Sequence, residues 1–160
     1  MLHITILAVG KLKEDYLIRG AREYLKRLSS YAKISLVEIA DERVPERLTE
    51  RERQRILENE EQRILRHLRE DAYIIALDIQ GAAFSSEEMA AKISQVVLTG
   101  KSHLFFIIGG SLGLSEKILL KAHLRLSFSN LTFPHQLFRL ILLEQIYRWF
   151  RIERGEPYHH

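Results

Sequence analysis

Residues 105–115 read FFIIGGSLGLS, and this stretch decides the fold. An apolar run of strand type, Phe105–Ile108, breaks into three glycines within five positions, Gly109, Gly110 and Gly113. Ser115 then offers a helix N-cap, with the Glu116 carboxylate beside it at the positive end of the helix dipole. Glycine tolerates backbone geometries and close approaches that a β-carbon would block, so this turn leaves main chain open to a ligand. In an open α/β sheet, ligands gather outside the carboxyl ends of the strands. The same glycines also suit a tight strand-to-helix turn that holds nothing.

Working outward, the chain alternates strand and helix patterns. Leu2–Val9 is apolar on both faces, as in a strand covered on both sides. Leu17, Ala21, Tyr24, Leu25 and Leu28 recur at helical spacing, and Ile34–Ile39 reads as a second strand. Between Asp41 and Asp71, Glu and Arg alternate. Thr49 with Glu52 forms a capping-box pattern, and Leu57, Ile64, Leu65 and Leu68 supply an apolar stripe, so this is a solvated amphipathic helix. Tyr73–Asp78 is a third strand, with Gln80-Gly81 as a turn. Ser85 and Glu88 open a helix to Leu98, with Gly100 at its C-terminal cap position. His103–Ile108 is the fourth strand and Leu124–Phe128 the fifth. Pro134 then starts a helix to Arg154, with Gly155 and Pro157 as stop signals. The alternation predicts an α/β fold, a mostly parallel sheet flanked by helices, with residues 1–160 as a single domain.

The totals narrow the class. A chain of 160 residues is large enough to bury a real core. With no cysteine there are no disulfides, zinc–thiolate sites or cysteine nucleophiles. The N-terminus lacks the charged region and cleavage site of a signal peptide, and no apolar run reaches the roughly 20 residues of a membrane span, so a cytoplasmic protein is expected. His3, His67, His103 and His123 are scattered without ligand spacing, and no metal is assigned. Charge is uneven: residues 1–99 carry 16 Lys/Arg against 17 Asp/Glu, whereas residues 100–160 carry 8 against 4 and five histidines. A phosphate-bearing partner would meet the C-terminal third.

The last helix is apolar around most of its circumference, from Leu137 and Phe138 through Ile146, Tyr147, Trp149 and Ile152. Such a helix needs cover on several sides. The sheet takes one face, and a second copy of the chain is expected on the other, as a homodimer through the C-terminal helix. Burial by the chain's own loops is the alternative.

Four segments fall at strand ends or at the chain end: Leu77-Asp78, Gly109-Gly110, Ser127–Phe133 and Pro157–His160. Parallel strands are expected to put all these ends on one edge of the sheet, where a shared pocket can form. The familiar signatures are missing: no G-x-G-x-x-G follows the first strand, and there is no Walker loop, H-E-x-x-H site or G-x-S-x-G elbow.

From LHITILAVGK through YIIALDIQG, FFIIGGSLGLS and LTFPHQLFRLILLEQIYRWFRIERGEPYH, the chain resembles the small SPOUT-class methyltransferases that N3-methylate a pseudouridine in helix 69 of 23S ribosomal RNA. The LTFPHQLFR and EQIYR…PYH blocks are the specific part. The resemblance implies S-adenosyl-L-methionine as methyl donor, an obligate dimer, a C-terminal trefoil knot and the assembled 70S ribosome as substrate. By position it places cofactor contacts at Leu77, Gly109, Phe128, Ser129, Asn130, Leu131, Thr132 and Phe133. It also gives catalytic weight to Arg148, Tyr158, Glu144 and His159. Arg148 would steady the anion that forms as N3 loses its proton. Glu144, four residues earlier on the same helix face, would orient Arg148, accept the proton, or be an ordinary ion-pair partner. Tyr158 and His159 would close over the base from the tail of the same or the partner subunit. His135 is a minor candidate base.

Two departures from the family pattern stand out. Family members typically end Tyr-His-Lys or Tyr-His-Arg, whereas this chain ends Tyr158-His159-His160, and its GGSLG loop differs from the GGP-E-G form of some members. Two other functions fit the same residues: a SPOUT methyltransferase acting on another base or a ribose 2′-oxygen in rRNA or tRNA, and a non-catalytic ribosome-binding factor.

Overall fold

The computed structural model describes residues 1–160. Five strands, β1 (Leu2–Val9), β2 (Ala32–Ile39), β3 (Tyr73–Ala83), β4 (His103–Ile108) and β5 (Leu124–Ser127), form one sheet in the order β2-β1-β4-β3-β5. All four pairings are parallel. Five helices connect or follow them: α1 (Asp15–Leu28), α2 (Glu50–Leu65), α3 (Ser86–Leu98), α4 (Glu116–Lys121) and α5 (His135–Glu153).

The continuous apolar runs of β1 and β4 are explained by cover on both faces of the sheet. Ile4, Ile6, Ala8, Leu104, Phe106 and Ile108 point into the larger core, against Ala21 and Leu28 of α1, Met89 and Ile93 of α3, and Leu142, Leu143, Ile146 and Trp149 of α5. The alternate residues Leu7, Val9, Phe105 and Ile107 face a smaller core with Ile64 of α2 and Ile118 of α4. Side chains alternate across a strand, so a strand buried on both faces reads as unbroken hydrophobicity.

The caps lie where the residue types place them. Thr49 and Glu52 form a reciprocal capping box on α2, while Ser85 and Ser115 cap α3 and α4. Gly155, at φ +65°, ends α5; the Glu156 amide donates to the Arg151 carbonyl and the Gly155 amide to that of Ile152.

Four expectations need correction. Gln80-Gly81 does not end the third strand: pairing with β5 breaks after Leu77 and resumes at Ala82, leaving 78–81 as an excursion inside β3. The fifth strand stops at Ser127, and Pro134 caps α5 from outside rather than opening it. On α2 the inward line is Ile56, Glu60 and Ile64, with Leu57 only half-buried. A carboxylate occupies a position that charge alone assigns to solvent. As for α5, helices α1 and α3 pack along its flanks, while Leu140, Ile141 and Tyr147 stay half-buried. At Gly20 of α1 an added β-carbon would lie 2.9 Å from Leu140 Cδ2, which shows how closely those two helices approach.

Candidate active site

At the carboxyl ends of β3, β4 and β5 the chain leaves a cleft of about 380 Å³. The β3 excursion supplies Leu77, Asp78 and Gln80, and the turn after β4 supplies Gly109, Gly110, Leu112 and Gly113. The segment after β5 supplies Phe128, Ser129, Leu131, Thr132 and Phe133, and the first turn of α5 adds His135 and Phe138.

Short-range hydrogen bonds hold each wall in shape. The Gln80 amide donates to Asp78 Oδ1 at 3.1 Å, the Gly113 amide to the Gly110 carbonyl at 3.0 Å, and the Leu131 amide to Ser129 Oγ at 3.0 Å. Gly113 sits at φ +79°, a conformation that side chains disfavour. Gly109 is held by contact instead: a β-carbon there would lie 2.7 Å from the Gly113 carbonyl carbon. A β-carbon on Gly81 would lie 2.5 Å from the Arg125 carbonyl oxygen. The walls are therefore main chain at close quarters, interleaved with leucine and phenylalanine side chains.

A second constellation lies farther along α5. Glu144 Oε1 accepts from Arg148 Nε at 2.9 Å, from Arg148 Nη2 at 2.6 Å and from the Tyr158 hydroxyl at 3.1 Å. Its other oxygen accepts from Gln145 Nε2 at 2.8 Å. Arg148 Nη1 lies 3.0 Å from His159 Nδ1, and His159 Nε2 lies 2.5 Å from Glu87 Oε1 at the start of α3. The Tyr158 ring lies under the Arg148 guanidinium at 4.8 Å and edge-on to Tyr147 at 4.9 Å. Arg151 completes the clasp by pairing with Glu156 and donating to the Pro157 carbonyl at 2.7 Å. Chain ends usually fray unless tied down; this one is tied at four residues. Burial, with help from the Tyr24 hydroxyl and the Glu144 carboxylate, pushes the Tyr158 phenol above its ordinary range. Tyr158 is a protonated donor at neutral pH, and the Glu87 carboxyl, held by its own main chain and His159, is lowered.

The structure thus groups the candidate residues into two sets. Leu77, Gly109, Phe128, Ser129, Leu131, Thr132 and Phe133 share the cleft, whereas Asn130 is exposed outside its lining. Arg148, Glu144, Tyr158 and His159 share the polar cluster, and none of them lines the cleft. Ten residues of α5 separate Phe138 from Arg148, about 15 Å along the axis. A side pocket of about 260 Å³ lies between them, sharing Leu126, Phe128 and Phe133 with the cleft and reaching Gln145. Residues that sequence reasoning missed are Gln80, Leu112, Leu119, Phe138 and the tail's anchor Glu87; only their closeness to glycine turns or caps marked them.

Comparison with known proteins gives a consistent result. Residues 2–159 match the family model described as "Predicted SPOUT methyltransferase". The "Ribosomal RNA large subunit methyltransferase H" of Pelotomaculum thermopropionicum is 58% identical over 160 residues, covering 100% of both chains. The protein so named in Listeria monocytogenes serovar 1/2a is 54% identical over 158 residues, covering 99% of each. Among solved structures, a probable methylase family protein from Haemophilus influenzae superposes with a TM-score of 0.51 at 16% identity, over 99% of this chain and 70% of that one. The A. aeolicus TrmH/SpoU tRNA modifying enzyme does so with a TM-score of 0.50 at 15% identity, over 95% and 77%. At such identities the two structures speak to the fold alone.

Proposed function

The chain belongs to the SPOUT methyltransferase family, and from that premise we propose that it N3-methylates a pseudouridine in helix 69 of 23S ribosomal RNA, using S-adenosyl-L-methionine and acting in the cytoplasm on assembled 70S ribosomes. Relatives at 50–58% identity over essentially their whole length make it a methyltransferase of large-subunit ribosomal RNA. The donor, the nucleotide, the 70S substrate and the residue roles are the parts that the proposal adds.

The observation that carries it is the cleft. Its volume is in the range of small-molecule sites, and its walls combine exposed main chain with apolar side chains. That set fits a nucleoside: main-chain groups for the adenine edge, and leucine and phenylalanine side chains for the faces of the ring. The glycine turn fits as well, because Gly109, Gly110 and Gly113 line the cleft with main chain and no side chain. When bound, the donor supplies a methyl already activated on a sulfonium, which leaves alignment and charge management to the protein.

Loss of the N3 proton to solvent would leave negative charge on the flanking carbonyl oxygens, and that charge would be spent as N3 takes the methyl and the sulfonium departs as a neutral thioether. Arg148 is the group assigned to that charge. Glu144 Oε1 already accepts three hydrogen bonds, which makes it a poor proton acceptor and favours its role as the holder of the guanidinium. Tyr158, held protonated, donates and does not act as a base. Because the polar cluster and the cleft lie apart on one chain, the proposal includes a homodimer through α5 in which the partner's tail completes each cleft. The half-buried Leu140, Ile141 and Tyr147 support such a contact. It also includes residues 1–160 as one domain and the threaded C-terminal path, a trefoil knot, that the family implies.

The test is methyl transfer from tritiated S-adenosylmethionine to free large-subunit RNA, 50S subunits and 70S ribosomes from a strain lacking this gene. Counts chiefly on 70S are expected. Label on free RNA or tRNA would move the target, and no transfer without donor binding would leave a ribosome-binding factor.

A further inference from the structure

Behind the glycine turn, on the side away from the cleft, two consecutive carboxylates of α2 meet its two ends. Glu60 is only 4% exposed. Its Oε2 accepts the Glu42 amide at 3.0 Å, and its Oε1 is buried without a partner. The carboxyl group lies on the bare α-carbon of Gly110: a β-carbon there would sit 3.1 Å from Oε1 and 3.3 Å from Oε2. At the far end of the turn, Ser115 donates its hydroxyl to Glu61 Oε1 at 2.7 Å while accepting the Ile118 amide to cap α4.

We propose that Glu60 and Glu61 are positioning residues that brace the turn at Gly110 and Ser115 and thereby set the affinity of the cleft for the methyl donor, a role that rests on the donor reading above. Burying a carboxyl in an apolar stripe between Ile56 and Ile64 costs stability that leucine would not, so its presence calls for a compensating task. Glu60 has two: it ties the loop after β2 through the Glu42 amide, and it fills the space that only a glycine leaves at position 110. Burial pushes its carboxyl above the ordinary range. Of the charged groups around it, Asp41 and Glu42 on the loop after β2 push the same way. Arg63 on α2 opposes them but donates to Ala40 and pairs with Glu42 at 3.5 Å. The carboxyl group packs on main chain with no counter-ion in contact with it.

Hydrogen exchange of the ligand-free protein and calorimetric titration with S-adenosylhomocysteine test the brace. Glu60→Leu fills the stripe, so the melting temperature holds while exchange across 109–115 rises and affinity falls about tenfold, the scale of one buried hydrogen bond lost. Glu60→Gln keeps the acceptor and stays within about twofold of the parent for the same reason. Wild-type exchange and affinity in Glu60→Leu would overturn the proposal. If the unmutated protein binds no donor, the donor reading fails, and the exchange arm still judges the brace. Should Glu60→Leu not fold, Glu61→Ala tests the other end: faster exchange at 113–116 supports the brace, and an unchanged pattern overturns it.

Discussion

Tyr158 donates its hydroxyl to Glu144 Oε1 at 3.1 Å, fastening the chain's end to the middle of its last helix. The same oxygen holds Arg148, so the tail and the guanidinium share one acceptor. Removing the hydroxyl takes away one of the tail's ties and leaves Arg148 with its two bonds to Glu144. Tyr158→Phe should lower methyl transfer about tenfold, the effect of one lost hydrogen bond to a charged group, with donor affinity unchanged. Unchanged turnover would remove the hydroxyl from the mechanism.

Arg148→Lys keeps the charge but loses the planar fork that reaches Glu144 through Nε and Nη2 while Nη1 faces His159. Turnover should drop about 100-fold, the usual cost of one donor to a developing anion. Single-turnover rates with donor affinity measured alongside check this, and a matching loss of affinity would place Arg148 in donor binding instead.

Gly109→Ala puts a β-carbon 2.7 Å from main chain, and main chain cannot step aside. A stability loss of about 1–3 kcal/mol is expected, with loss of donor binding. Gly20→Ala meets only the ends of Leu140, which can rotate, so it should cost less. Thermal denaturation of the two variants side by side gives the comparison, and equal losses would contradict it.

At the opposite edge of the sheet, His3 and His103 stack at 4.3 Å, and His103 Nε2 meets Thr5 Oγ1 at 2.8 Å. Burial first, and then the charge of His3, hold the His103 imidazole below its ordinary 6.5. The unfolded chain therefore binds this proton more readily, so stability is full above about pH 6.5 and falls as the pH drops below it. Urea midpoints at pH 8 and pH 5.5 should show the loss, and His103→Gln should flatten it. A midpoint that does not move would show that the imidazole titrates normally.

His160 stands where family members typically carry a lysine or arginine. A permanent positive charge at that place attracts phosphate, so His160→Lys should tighten ribosome binding relative to the parent. Equal affinities of the two proteins would contradict this.

The strands and caps were legible because each rests on local chemistry. Apolar runs of fixed length gave β1 and β4, and Thr49, Ser85 and Ser115 gave the helix starts. The glycine turn was legible as a break after β4, and it lines the cleft. What stayed hidden depends on distant partners. Pairing with β5 carries β3 past Gly81, and no local signal reports a strand more than forty residues away. Glu60 looks like one more charge in a charged helix until the loop after β2 folds over it. The clasp of the tail depends on Glu87, seventy-two residues before His159.

The most direct measurement maps the methyl group itself. Ribosomes from a strain lacking the gene, treated with the protein and S-adenosylmethionine, are digested, and the helix 69 fragment is analysed by mass spectrometry and reverse transcription. The account predicts one added methyl on a pseudouridine base together with a reverse-transcription stop, because N3 lies on the pairing edge. A methyl on a ribose, or on any nucleotide outside helix 69, would contradict it.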